Sequence, residues 1–286
     1  MANGILVIDK SAGWTSQDVA AKLRGVFHER RVGHGGTLDP MATGVLPVFI
    51  GRATRAAEFL ESAEKEYVAG LRLGVATDTQ DTSGTVLETN SVCVTRAQLE
   101  GALRQFLGPI EQIPPMYSAI KINGQKLYEL ARRGQEVARR PRSITIHALE
   151  LLEGEGADWT IRVRCSKGTY VRTLCHDLGR ALGCGGCMAA LRRTEASGFC
   201  IGEAVTLEDA AREGEALLRP TDSLFRAHPA YTIENAEQER RCLCGNPLRA
   251  KLPDGLYRVY GRGGAFLALS EAKDGVLTSK RNFFSV

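Results

Sequence analysis

Arg31-Val32-Gly33-His34-Gly35-Gly36-Thr37-Leu38-Asp39-Pro40-Met41-Ala42-Thr43-Gly44-Val45-Leu46 is the stretch on which the reading of this chain turns. Gly33, Gly35 and Gly36 let the backbone come close to another molecule, and Pro40 pushes Asp39 out of helical dihedrals into an extended conformation. Asp39 is thus presented at the lip of a loop. The same Asp-Pro pair also reads as a helix N-cap followed by proline at the first helical position. Both readings can hold together, because hydrogen bonds to a carboxylate keep it charged, as a nucleophile or a base must be.

On either side, regular elements are legible. Thr15 with Asp18 three residues later forms a capping signal ahead of Val19, Leu23 and Val26, and Thr95 to Leu107 repeats the pattern with Leu99, Leu103 and Phe106 before Gly108-Pro109. Tyr67, Ala69, Leu71, Leu73 and Val75 alternate with polar or small residues, as do Trp159, Ile161, Val163 and Cys165. Period two with one polar face predicts antiparallel sheet, wet on one side. After Gly168, a stripe of Val171, Leu174, Leu178 and Leu182 predicts a third helix closed by Gly183. Without regular strand–helix–strand alternation the class is α+β, with a large, mainly antiparallel mixed sheet flanked by helices. Near residue 228 the texture shifts to short strand-like pieces between Gly and Asp turns, so residues 1–227 read as the main domain and 228–286 as a small all-β module. About 60 residues is marginal for independent folding, so that module should dock on the larger body.

Composition is that of an ordinary globular chain: 286 residues, 43% hydrophobic and 24% charged, with 31 Gly and 10 Pro, which excludes collagen, coiled coil and tail-like disorder. The chain shows neither a long apolar span nor a signal-peptide pattern at Met1-Ala2-Asn3-Gly4, and it reads as cytoplasmic. Its eight Cys then read as reduced thiols. Cys184-Gly185-Gly186-Cys187 has metal-ligand spacing, but zinc sites pair two such clusters, and the alternative is a glycine-rich turn ending a helix. The net charge of +4 is modest, yet residues 121–142 carry seven cations (Lys121, Lys126, Arg132, Arg133, Arg139, Arg140, Arg142) against Glu129 and Glu136. A second basic zone follows His228. Two such zones suit a polyanion, or are simply solvated surface.

Two further segments carry chemistry. In Lys167-Gly168-Thr169-Tyr170-Val171-Arg172-Thr173-Leu174, Thr169 can cap the third helix, which puts Arg172 in its first turn. A cation there opposes the helix dipole and calls for a compensating carboxylate. In Lys65-Glu66-Tyr67 an aromatic opens an amphipathic strand, either as core or as a stacking platform for a base.

At these residues the chain resembles the TruB-type tRNA pseudouridine synthases. The run Gly36 to Leu46 is similar to that family's catalytic motif, and the likeness continues through Lys65-Glu66-Tyr67, Ala76 to Asp81, Pro114 to Ala119, Lys167 to Leu174 and Leu191-Arg192-Arg193-Thr194. The tail resembles a PUA-type RNA-binding module. Lys10-Ser11 stands where the family has Lys-Pro, and a glycine expected after Thr194 comes one place late, at Gly198. The resemblance implies isomerisation of uridine 55 in the tRNA T loop, with Asp39 as the catalytic carboxylate, Arg172 its partner and Tyr67 stacked on the base. It further implies that His34 enters the T loop, that Tyr170 and Leu191 wall the pocket, that Asp81 joins the polar network near Arg172, and that the 121–142 insert grips RNA. The module at 228–286 would reach toward the acceptor stem. The implied enzyme is a stand-alone monomer needing no cofactor, metal or protein partner; the competing readings are a non-catalytic RNA-binding or RNA-folding protein and a zinc-stapled nucleic-acid binder.

Overall fold

A computed structural model describes residues 2–60 and 64–284. Among these, nine strands form the central sheet: β1 (Gly4–Lys10), β2 (Val32–His34), β3 (Thr43–Ile50), β4 (Lys65–Leu73), β5 (Gly108–Gln112), β6 (Arg142–Glu155), β7 (Asp158–Cys165), β8 (Gly186–Ala196) and β9 (Phe199–Cys200). The order across the sheet is β1-β3-β8-β4-β7-β6-β5, with β2 beside β3 and β9 beside β8. Every pairing is antiparallel except a short parallel contact of β3 with β8, Thr43 and Gly44 facing Arg192 and Arg193. The class is α+β, as the element order indicates.

The period-two pattern sets which face is buried. Tyr67, Ala69 and Leu71 of β4 and Ile161 and Val163 of β7 point into the main core, under α1 (Ser16–Phe27), α2 (Arg96–Gln105) and α3 (Val171–Ala181). Val75 drops out of this alternation. Gly74, at φ +82, turns the chain away from the sheet, and Val75–Thr77 pairs instead with Val86–Thr89 in a separate hairpin. The opposite face is laced with ion pairs, Arg72–Asp158 at 2.7 Å, Arg162–Glu150 at 2.9 Å and Arg192–Asp9 at 2.8 Å, the wet face that alternation requires. Both predicted capping boxes are present. The Thr15 side chain accepts from the Asp18 N–H at 3.0 Å while the Asp18 carboxylate accepts from the Thr15 N–H, an arrangement worth about 1 kcal/mol.

At the β1/β3 end the second face is dry. Ile5, Val7, Val45 and Phe49 lie beneath the 3-10 segment Gly51–Leu60 and the C-terminal part of the chain, with Phe225 and Phe283 in the same cluster. Phe225 meets Phe59 edge-on at 5.2 Å, and Phe266 stacks on Phe283 at 5.1 Å. Residues from Ala230 to Asn282 form a five-stranded sheet with its own core of Ile233, Leu248, Tyr257, Val259 and Leu277. This module is docked, as its size demands, and also carries a helix, Ala236–Leu243, that the strand-like texture did not announce.

Gly44 marks the tightest point of the sheet. At φ +100 it faces β8 so closely that a Cβ would lie 2.2 Å from the Arg193 carbonyl oxygen. Gly44→Ala should therefore lose more than about 2 kcal/mol of unfolding free energy. Gly134→Ala, also at positive φ but with nothing within 4 Å, should lose only about 1 kcal/mol. Denaturant titration decides; equal losses would show that strand proximity is not the constraint.

Candidate active site

The loop between β2 and β3 is clamped from below. Ser16 Oγ on α1 donates to the Leu38 carbonyl at 3.2 Å and accepts from the Leu38 N–H at 2.8 Å. Lys10 Nζ, at the end of β1, donates to the carbonyls of Trp14 at 2.7 Å, Ser11 at 3.0 Å and Pro40 at 3.3 Å. Arg193, from β8, donates to the carbonyls of Val45 at 2.8 Å, Gly36 at 3.1 Å and Thr37 at 3.4 Å. So held, Asp39 to Ala42 form a turn closed by the Ala42 N–H on the Asp39 carbonyl at 3.0 Å, with Pro40 at its second position. No helix begins at this turn, so the N-cap reading of Asp39 falls. The side chain of Asp39 remains 36% exposed.

Its partner comes from α3. Arg172 is the second residue of that helix, its side chain only 7% exposed, with Nε 2.9 Å from Asp39 Oδ2 and 3.7 Å from Asp81 Oδ2. The two terminal nitrogens donate to the carbonyls of Thr79 at 3.1 Å and Tyr117 at 2.9 Å. Two carboxylates thus offset a cation that faces the positive end of a helix. Asp81 lies behind the guanidinium, buried, accepting also from Thr79 Oγ1 at 2.8 Å and from the Ser83 N–H at 3.0 Å and hydroxyl at 2.5 Å. The cap of α3 differs from the sequence expectation. Thr169 Oγ1 donates back to the Ser166 carbonyl at 2.9 Å, and the N-cap is Tyr170. Gln112 at the end of β5 grips that residue instead, its side chain accepting from the Tyr170 N–H at 2.8 Å and donating to the Tyr170 carbonyl at 3.1 Å.

Tyr67 faces Arg193 across the β4–β8 pairing, and Leu191 faces Ala69 two residues along, so both walls of the site descend from one register. Burial pushes the Tyr67 hydroxyl up, and the adjacent Arg193 guanidinium opposes the rise. His34 is pushed down by burial and by Arg193, and its Nδ1 is buried without a hydrogen-bond partner. Tyr170 is raised by burial, against Arg142 and Arg172 nearby. Lys65 is lowered by burial and Arg193, and burial brings Lys10 down to about 8, with Arg193 adding to the fall and Asp39 opposing it. The structure therefore brings Asp39, Arg172, Asp81, Tyr67, His34, Tyr170 and Leu191 to one end of the sheet. It adds Lys10, Lys65, Gln112 and Arg193, which sequence reasoning did not single out as site residues. A signal for Arg193 was available: counting by two from Leu191 places a charge at an inward position.

The 121–142 segment folds on a small core of Met116, Leu127 and Leu130. Lys121, Arg132, Arg133, Arg140 and Arg142 are exposed, and none has an ion-pair partner among the described residues. Arg139 differs, pairing with Glu136 at 2.8 Å and donating to the Pro114 carbonyl at 3.3 Å, while Lys126 donates to the Tyr128 hydroxyl at 3.1 Å. The turn that ends α3 runs through Gly183, at φ +75, and Cys184 to Gly185, at φ +76, while Cys187 already lies in β8, and the described residues contain no group of three or more His, Cys, Asp or Glu placed to hold a metal ion. Ser11 is exposed, and Gly198, at φ +79, completes the two-residue turn between β8 and β9.

Residues 24–171 match the model of the TruB family pseudouridylate synthase N-terminal domain, and residues 172–226 that of the tRNA pseudouridylate synthase B C-terminal domain. The chain belongs to the TruB family. It is 45% identical to tRNA pseudouridine synthase B of Stutzerimonas stutzeri, over 98% of this chain and 95% of that protein, and 41% identical to that of Clostridium kluyveri, over 95% and 96%. Among solved structures it is similar to a Cbf5-Nop10-Gar1 complex, with a TM-score of 0.73 and 27% identity over 98% of this chain and 85% of the matched one. An H/ACA RNP bound to a substrate RNA containing 2′-deoxyuridine gives 0.72 and 25%, over 99% and 85%. Asp39 lies in the first matched segment and Arg172 at the start of the second.

Lys10 carries a pH signature. Because its folded-state value is about 8 against 10.5 when free, the unfolded chain binds more protons between these limits, and stability rises with pH across that window. Buried Cys165, raised to about 11 from 9.0, acts in the opposite sense at the alkaline end, so the lysine must be isolated by difference. The unfolding free energy of the wild type minus that of Lys10→Met should increase from pH 8 to 10; a pH-independent difference would show that Lys10 is not desolvated.

Proposed function

We propose that this tRNA pseudouridine synthase isomerises uridine 55 of the T loop to pseudouridine, with Asp39 as the reacting carboxylate. The observation that carries this reading is the 2.9 Å contact of a buried arginine with a carboxylate left exposed at the end of the sheet. A protein that merely bound RNA would gain nothing from holding an anion toward a polyanionic partner. The reaction cleaves N1–C1′, turns the base and rejoins it through C5. A carboxylate beside an oxocarbenium-like sugar serves either attack on C1′ or removal of the 2′ proton. Arg172 orients Asp39, Tyr67 receives the base on its ring, and Leu191 and Tyr170 wall the pocket. His34, uncharged near neutral pH by the direction of its shift, fills space the uridine leaves. One C–N bond is exchanged for one C–C bond while a proton moves from C5 to N1, so the balance calls for no cofactor or co-reactant.

Everting a nucleotide costs about a few kcal/mol. In this reading the cost is offset by phosphate contacts from Lys121, Arg132, Arg133, Arg140 and Arg142, with Lys126 and Arg139 shaping the insert, and by the 228–286 module reaching toward the acceptor stem. We assign residues 1–227 as the catalytic domain and 228–286 as the PUA-like domain, a division supported by the separate sheets and cores. The reading includes a monomer that acts in the cytoplasm without a protein partner. No helix among the described residues is long and apolar enough to cross a membrane.

Asp39→Asn should abolish pseudouridine formation on a T-stem-loop RNA while leaving tRNA affinity within a few fold; turnover near that of the wild type would remove the carboxylate from the chemistry. Replacing Arg132 and Arg133 together by Gln should reduce the slope of log affinity against log salt by about 1 to 2, and an unchanged slope would take the insert off the phosphate backbone.

A further inference from the structure

Arg193 is the largest fully buried side chain of the described chain, at 1% exposure, yet no carboxylate among the described residues lies within ion-pair distance of it. Its hydrogen bonds to three backbone carbonyls satisfy geometry without neutralising charge. Arg172, by contrast, has both Asp39 and Asp81. A buried cation without a counter-charge is strongly unfavourable unless another group compensates it. The groups around it deepen the imbalance: Lys65 on β4, Lys10 on β1 and His34 on β2 are pushed down chiefly by burial, and its charge adds to the fall at each. On the other side stand Asp39, already paired with Arg172, and the Cys165 thiol of β7, which burial holds protonated to about 11. The remaining polar neighbour is its cross-strand partner, Tyr67, whose ionised form its charge favours.

Resting on the pseudouridine synthase reading, we propose that Arg193 is a positioning residue whose missing counter-ion is the Tyr67 phenolate formed during the reaction. In the step at issue the base is already joined to C1′ through C5, which still bears its hydrogen. The C5–H bond breaks and its proton goes to the Tyr67 oxygen. The freed electron pair forms C5=C6, the former C6=N1 pair moves to N1, and N1 takes a proton from water. Tyr67 gives its hydroxyl proton to water before this step, takes the C5 proton in it and so ends as the resting phenol; while charged it is stabilised by the guanidinium of its cross-strand partner. A preorganised cation of this kind needs no rearrangement when the charge appears.

The test is a mutant cycle on Arg193→Gln, Arg193→Lys and Tyr67→Phe, read as single-turnover pseudouridine formation on T-stem-loop RNA with hydrogen or deuterium at C5. Arg193→Gln should slow turnover by roughly 10²-fold with RNA affinity retained, raise the C5 isotope effect, and recover in part at alkaline pH. Arg193→Lys should retain more activity than Arg193→Gln, and it carries the cycle alone if Arg193→Gln does not fold. In the Tyr67→Phe background neither substitution should cost much more. An Arg193 that only held the Gly36–Thr37 carbonyls would slow both backgrounds equally and leave the isotope effect unchanged, overturning the proposal while the synthase reading stands. Absence of product from the wild type would instead overturn both.

Discussion

The contact between Asp39 and Arg172 is the constraint to which the rest of the site is subordinate. A carboxylate on a mobile loop would sample many directions. Here its backbone is held by α1 through Ser16, by β1 through Lys10 and by β8 through Arg193, so the side chain has little freedom left to lose on meeting a substrate. The guanidinium is fixed equally, by carbonyls from two separate loops and a second carboxylate behind it. The cost of burying Arg172 is met by these partners, and the exposed edge of Asp39 is what remains for chemistry.

The charge balance of the surroundings follows from the same arrangement. Lys10, Lys65, Arg172 and Arg193 are gathered near Asp39 and Asp81, and the cations outnumber the anions. Such a surplus is unfavourable in the free protein: burial pushes Lys10 and Lys65 down, and the Arg193 charge adds to the fall at both. A ligand carrying negative charge, or a reaction that creates it, relieves it. The exposed cations of the 121–142 insert extend the positive field outward, which in the proposed reading draws RNA toward the end of the sheet that holds Asp39.

What the sequence disclosed was local. Thr15 and Thr95 announced their helices because a capping box spans only three residues, and the Tyr67–Leu73 alternation announced its strand because side-chain direction repeats every second position. Asp39 was legible as an exposed loop carboxylate, and Arg172 as a first-turn cation wanting an anion, but nothing local joined them. The N-cap reading of Asp39 failed because Pro40 serves a turn as readily as a helix start. Thr169 was a reasonable cap until Gln112, 58 residues earlier, supplied its amide to Tyr170. Lys10 and Arg193 received no role for a related reason: their partners are backbone carbonyls, reaching as far as Pro40, 30 residues from Lys10, and Val45, 148 residues from Arg193, and carbonyls carry no sequence identity.

A structure of the protein with an intact T-stem-loop RNA tests the central claim most directly, through the distance from the Asp39 carboxylate to the ribose of the uridine. The account requires that nucleotide to be out of its stack, with C1′ or the 2′ carbon about 3 to 3.5 Å from an Asp39 oxygen and the Arg172 contact preserved. A uridine lodged in the pocket with its sugar beyond reach of Asp39, or an Asp39 that abandons Arg172 to turn away from the RNA, would contradict it.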